Sequence, residues 1–233
     1  TLGGTVPEAL MTVVAAATVF SVMFVVGLGI VPREFRWVLQ RSGQILSKED
    51  KDMADTVMAA LANEGVTVHL HTTVIDAEEQ DGSKWVTVQD EEGRQATHCA
   101  EAILLAQGRS ANTAGLGLDR IGVAVRPAGI IVDSRLRTSH HHIFAAGDVN
   151  GAFQFTHAAG YEGGIVLANT VFRLPRRTDY TLFPWCTYTD PELASIGMNE
   201  KRAKEAGIAY SVWTEEFGDN DRALAEGRPA GRI

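Results

Sequence analysis

The residue pair with the clearest chemical use is Gly147-Asp148, which closes the apolar run Ile143-Phe144-Ala145-Ala146 and stands ahead of a helical pattern running from about His157 to Phe172. Glycine lets the backbone come close to a ligand, and a carboxylate at the C-terminal end of a strand can accept hydrogen bonds from ribose or ribityl hydroxyls. Taken alone, the pair reads equally well as an ordinary turn after a strand. Other candidates carry less. Cys99 and Cys186 are the only two cysteines, far apart and in strand-like apolar contexts, so they read as small buried hydrophobes. His140-His141-His142 are adjacent in a loop, where their rings point in different directions and lack a further ligand at a defined spacing. His69 and His71 alternate along a strand and so share one solvated face, while Glu215, Glu216, Asp219 and Asp221 read as a solvated charge run.

Several elements must position these residues. Ser47 with Asp50 three residues on predicts a helix N-terminus, Met53, Val57, Met58 and Leu61 recur at helical spacing, and Gly65 supplies the stop. Val66, Val68 and Leu70 alternate as a strand, Val74 begins another, and Asp81-Gly82 and Glu92-Gly93 punctuate Trp85–Val88 as hairpins. The continuous apolar run Ala102–Ala106 predicts a strand buried on both faces. Strand-like runs at 129–133 and 143–146 lead into the His157 helix. After Pro184 come a strand at 185–189, a helix around 200–206, a strand at 208–213 and a terminal hairpin.

The 233 residues carry 21 basic and 29 acidic side chains, a net charge of −8, and 45% are hydrophobic. That composition excludes a disordered chain and a disulfide scaffold, and the acidic balance leaves no electrostatic footprint for nucleic acid. Between Glu8 and Arg33 no residue is charged, and the apolar run 9–31 is long enough to cross a bilayer core of about 30 Å as a helix. Arg33, Arg36 and Arg41 follow it, which would place the rest of the chain in the cytoplasm, anchored through residues 9–31. A buried soluble helix or strand is the alternative. A third reading, a strand entering a dinucleotide-binding glycine loop at Gly27-Leu-Gly29, meets Pro32 where the third glycine is needed. The segment Gly27-Leu-Gly29 with Pro32-Arg-Glu-Phe-Arg36 also resembles the first membrane helix of the sodium/bile-acid symporter family.

Four spaced motifs carry a second resemblance: Ala106-Gln-Gly108-Arg109-Ser-Ala-Asn112, Thr138 to Asp148, Phe155-Thr-His157-Ala-Ala-Gly-Tyr-Glu162-Gly163 and Tyr188-Thr-Asp-Pro191-Glu192. From Gln44 to Ile233 the chain resembles the pyridine nucleotide-disulfide oxidoreductases, in their mercuric reductase and dihydrolipoamide dehydrogenase branch. Gln107 and Ala111 depart from that pattern, where Thr and Pro are common. The resemblance implies FAD and NAD(P)H as cofactors and a homodimer in the full-length family. It assigns Asp148 to the ribityl chain of FAD and Gly147 to its close approach. Gln154, Phe155, Thr156 and His157 would lie beside the isoalloxazine ring, with Gly108 and the Val74 region at the nicotinamide nucleotide.

The fold class implied is α/β: partial FAD- and NAD(P)-binding Rossmann-like domains, a truncated α+β interface domain and an N-terminal apolar helix. The corresponding spans are 1–43 for the apolar segment, 44–107 for the C-terminal part of the NAD(P) domain, 108–182 for that of the FAD domain and 183–233 for the dimerisation domain. A Cys-x4-Cys pair, the FAD glycine fingerprint and the C-terminal His-Glu pair of this class are missing. The expectation is an incomplete flavin-dependent oxidoreductase, inactive alone, and the alternative is a non-catalytic, membrane-tethered or misjoined fragment that binds no cofactor.

Overall fold

The computed structural model describes residues 36–233. Within them one compact unit comprises residues 36–108, 186–195 and 199–233, and a second comprises residues 109–185 and 196–198.

The first unit opens with β1 (Arg36–Leu39), α1 (Lys51–Asn63) and β2 (Val66–His69), with β1 and β2 parallel in the register Arg36↔Val66 to Leu39↔His69. Parallel neighbours need a crossover, and the amphipathic α1 supplies it. Its buried Ala54 and Val57 pack with Ile45, Leu46 and Leu193, and Met53, Met58, Leu61, Val68 and Leu70 close around them. The helix begins three residues later than Ser47 suggests: Asp50 is its N-cap, although its carboxylate makes no cap bond to α1. That carboxylate instead accepts from the Glu200 and Lys201 amides (3.1 and 2.8 Å), capping α3 (Glu200–Glu205).

β3 (Thr73–Gln80), β4 (Ser83–Gln89) and β5 (Gln95–Ala100) form the expected antiparallel meander. Asp81 and Gly82 both have positive φ (52° and 79°), as a two-residue hairpin matching strand twist requires. In the second turn Asp90 gathers the Glu92 and Arg94 amides at 3.0 and 2.9 Å.

Three strand-level expectations are corrected. Ala102–Ala106 is not a strand, and Leu104 is 52% exposed, because no described strand runs beside this segment to complete a ladder. Residues 208–213 are likewise irregular, with Trp213 85% exposed. The terminal hairpin is reduced to a single antiparallel bridge, Glu216↔Arg232, around a short α4 (Asp221–Ala225). Cys99 is exposed rather than buried, since β5 borders the meander and turns that residue outward opposite Trp85. His71 has φ 52° and lies outside β2, so it does not share a strand face with His69.

In the second unit β6 (Val125–Arg126) and β7 (Gly129–Ile130) pair as a short hairpin. Val123, Ile130 and Ala145 make the core there, backed by Leu118, Val132, Ile143 and Val149. A 3-10 turn, Gly147–Asn150, and α2 (Thr156–Thr170) follow. β8 (Pro184–Thr187) and β9 (Leu193–Ile196) form the last two-stranded sheet.

The membrane reading of residues 9–31 lies outside the described residues. Among the described residues no helix is long and apolar enough to cross a membrane, and no cluster of three His, Cys, Asp or Glu side chains could hold a metal.

Candidate functional site

The strand-like segment 143–146 is tied to its neighbours by Phe144↔Arg137 bridging and by the Ala145 amide on the Leu136 carbonyl (3.1 Å). It delivers Gly147 at φ +80°, in the left-handed region that favours glycine. A Cβ there would meet the Ala159 methyl at 3.1 Å, so the missing side chain lets α2 pack against the turn. Gly151, at φ +71°, closes the turn where a Cβ would run into the Ala128 carbonyl.

The Asp148 carboxylate at the head of this turn is partly exposed and ion-paired to Arg109. Arg109 also donates through Nη1 to the Gln154 carbonyl at 2.7 Å. One guanidinium thus gathers two of the residues singled out from sequence, Asp148 and Gln154. Phe155 is the extended N-cap of α2, makes no side-chain cap bond, and the first turn of the helix contains no acidic residue. Its first amides, at Thr156 and His157, are therefore the positive end of a 15-residue helix without a built-in anion.

The His157 ring stacks on Phe155 (centroids 5.4 Å apart) and on Phe183 (5.0 Å), and its Nε2 donates to the Pro184 carbonyl at 2.8 Å. His157, Tyr161, Asp179, Thr181 and Phe183 line an open cleft of about 520 Å³.

Behind the turn lies Glu162, fully buried on α2. Its Oε2 accepts from the Gly147 amide and from Asn150 Nδ2, both at 2.6 Å, and its Oε1 accepts from the Tyr180 hydroxyl at 2.5 Å. Burial, and then the Glu162 carboxylate it bonds, push the Tyr180 hydroxyl well above its ordinary pKa.

Asp148, Gln154, Phe155, Thr156 and His157 thus converge on one turn and one helix end, with Gly147 beneath them. Val74 of β3, paired with Val88 of β4, and Gly108, at φ +102°, belong to the first unit. Sequence reasoning gave no role to Glu162, although a motif contains it, and none to Asn150. The available signal was a carboxylate four residues after Ala158, one helical turn on and so on the same face of α2. Both cysteines are free, and burial, followed by Glu192, raises the Cys186 thiol pKa.

Residues 24–163 match the pyridine nucleotide-disulphide oxidoreductase family, and residues 183–233 match its dimerisation domain. The chain belongs to this family. The match begins inside the apolar run, so residues 24–31 align with the family, whereas the motifs alone place the resemblance from Gln44 onward. Among curated relatives, dihydrolipoyl dehydrogenase of Geobacillus stearothermophilus is 36% identical over 189 residues, covering 81% of this chain and 40% of that protein. Mercuric reductase of Streptomyces lividans is 34% identical over 190 residues, covering 81% of this chain and 40% of that protein. The chain therefore spans about two fifths of the length of these relatives. Among solved structures, the HOCl-induced flavoprotein disulfide reductase RclA of Escherichia coli superposes with a TM-score of 0.74 at 30% identity, covering 84% of this chain and 44% of that one. The pyridine nucleotide-disulphide oxidoreductases are FAD-dependent and use NAD(P)H, and their α/β flavin-binding architecture is the one to which the described residues are similar.

Proposed function

We propose that this chain is part of an FAD-dependent oxidoreductase of the pyridine nucleotide-disulphide class, similar to mercuric reductase and dihydrolipoamide dehydrogenase, and that residues 138–163 form one side of its flavin site. The observation that carries this reading is the Gly147-Asp148 turn. Its carboxylate is accessible, it is held by Arg109 beside Gln154, and the uncapped amino end of α2 follows directly. These residues fit the cofactor. Asp148 can accept from the hydroxyls of a ribityl chain, and the Thr156 and His157 end of α2 favours negative charge on a neighbouring ring. His157, held between Phe155 and Phe183 and bonded to Pro184, keeps that helix end in place. FAD, when bound, supplies hydride acceptance from a reduced nicotinamide.

The Val74 region and Gly108 are proposed contacts to NAD(P)H, and residues 183–233 a segment of a homodimer interface. The domain assignment is 44–107 to the nicotinamide domain, 108–182 to the flavin domain and 183–233 to the interface domain. Cys99 and Cys186 are given no redox role: both are free, and burial, followed by Glu192, raises the Cys186 thiol pKa away from thiolate. The second reading is a non-catalytic segment that binds no cofactor.

Flavin titration separates the two. Purified chain should bind FAD with a shifted visible spectrum, and Asp148→Ala should weaken binding by about tenfold or more, as loss of a charged hydrogen-bond acceptor does. No spectral change at saturating FAD would leave the second reading standing.

A further inference from the structure

We propose that Glu162 is the positioning residue of the flavin turn: one buried carboxylate oxygen, accepting from both the Gly147 amide and the Asn150 side chain, holds the Gly147–Asn150 turn in the shape that presents Asp148. This rests on the flavin reading for its purpose, but not for its geometry.

Glu162 is 0% exposed, and its three donors, at 2.5 to 2.6 Å, are all neutral: a backbone amide, a carboxamide and a phenol. A buried carboxylate is tolerated only when its lone pairs are satisfied, and bonds to a charged acceptor are about twice as strong as neutral ones. Two of the three donors are the first and last residues of the same four-residue turn. Asn150 is fixed further, because its Oδ1 accepts the Ala152 amide at 2.9 Å. Asp148 lies between the two clamped residues, with its carboxylate partly exposed and paired to Arg109. A turn this short has few conformations once both ends are bonded to one atom, so the aim of Asp148 follows from Glu162. The third bond extends the clamp. Tyr180, which donates to the other carboxylate oxygen, packs tilted against Phe153 (4.7 Å) and lies edge-on to Phe183 (5.6 Å), one of the rings bordering His157. Glu162 therefore ties the Asp148 turn to the aromatic wall of the cleft.

The test compares the full chain with Glu162→Gln, Glu162→Leu and Tyr180→Phe, reading the Gly147 amide proton by NMR and hydrogen exchange, and FAD affinity by titration. In Glu162→Gln the amide oxygen can still accept from Gly147 and Asn150, while the Tyr180 hydroxyl turns to accept from the new amide group. The Gly147 amide proton should move upfield as its acceptor loses charge, and FAD affinity should stay within about threefold. Glu162→Leu removes the acceptor, so Gly147 exchange should rise and FAD affinity fall, each by about tenfold or more. Tyr180→Phe should leave Gly147 protected, because the hydroxyl bonds the other oxygen.

An unmoved Gly147 resonance in Glu162→Gln overturns the proposal, and that variant decides the matter if Glu162→Leu does not fold. Unchanged FAD affinity in a folded Glu162→Leu also overturns it. If the wild-type chain binds no FAD but Gly147 responds as described, the flavin reading fails while the clamp stands.

Discussion

The β3–β4–β5 meander and the Gly147–Asn150 turn keep their shapes by opposite means. In the meander, strands of eight, seven and six residues share a ladder that pairs Thr73 through Gln80 with β4, save for a shift of register at Ile75, and Lys84 through Gln89 with β5. Each residue contributes one bond among many, and only Val86 and Val88 of β4 are buried. In the turn, four residues with no ladder depend on a single buried carboxylate and two left-handed glycines. Repetition makes the first region tolerant of change. Convergence makes the second exact in shape and vulnerable to single substitutions, which suits a segment whose proposed role is to aim one carboxylate.

Glycine substitutions test that contrast with the largest expected effects. Gly151→Ala would place a Cβ 1.8 Å from the Ala128 carbonyl at φ +71°, so backbone must move as well as strain. The expected loss is about 3 kcal/mol or more: roughly 1–2 from the left-handed conformation, the remainder from the displaced chain. Gly82→Ala has the same kind of φ, +79°, but nothing lies within 4 Å of the new methyl. It should cost only the conformational part, about 1–2 kcal/mol. Urea unfolding of the two variants side by side checks the difference, and equal losses would remove the distinction.

A core truncation ranks next. Leu193 joins Ile45, Leu46, Ala54 and Val57 in the core cluster of the first unit. Leu193→Ala should cost about 2–4 kcal/mol, through lost transfer energy and a cavity beside α1. A loss below about 1 kcal/mol would mean that this small cluster collapses around the gap and is packed more loosely than its burial implies.

What could be read from sequence follows the same division. The Asp81-Gly82 hairpin and α1 were legible because their signals are local: turn residues that accept positive φ, and apolar side chains at helical spacing. Gly147, Asp148 and His157 were legible as a motif, since their order along the chain survives without knowledge of packing. Ala102–Ala106 was misread because apolar character reports a preference for burial but cannot supply the neighbouring strand that a ladder needs. Cys99 was misread because alternation assigns two faces without saying which is covered. Glu162 stood in a motif without a role of its own, because a buried carboxylate is intelligible only with its donors, which come from Gly147, Asn150 and Tyr180, 12 to 18 residues away along the chain.

A smaller effect should appear with pH in the first unit. The His69 ring packs against His98 (centroids 5.2 Å apart), and its Nε2 is buried with no hydrogen-bond partner among the described residues. Burial first, and the charge of His98 second, depress the His69 pKa below its ordinary 6.5. The unfolded chain then binds the proton more readily than the folded one. The stability that the neutral ring contributes is complete above pH 6.5 and is lost as pH falls through the lower, folded pKa. The urea midpoint of the first unit should therefore decline from pH 7 toward pH 5. His98→Gln, which removes the second cause, should make that decline shallower, whereas an identical slope would exclude the pair as its source.

The smallest stability effect is expected at the contact nearest the proposed chemistry. Arg109 and Asp148 form an ion pair whose side chains are 61% and 43% exposed, so water and salt screen most of their attraction. The second bond of Arg109, to the Gln154 carbonyl, is also exposed. Arg109→Ala should consequently lower stability by less than about 1 kcal/mol, a difference that shrinks further in high salt. The turn itself should not change, because its two ends are bonded to Glu162 and not to Arg109. Protection of the Gly147 amide should match that of the wild type in Arg109→Ala, although Asp148 beside it has lost its ion pair to Arg109. If removing Arg109 instead exposes Gly147 or costs several kcal/mol, the turn is held from its exposed side, and the contrast between a convergent buried clamp and a tolerant ladder is wrong in its first term.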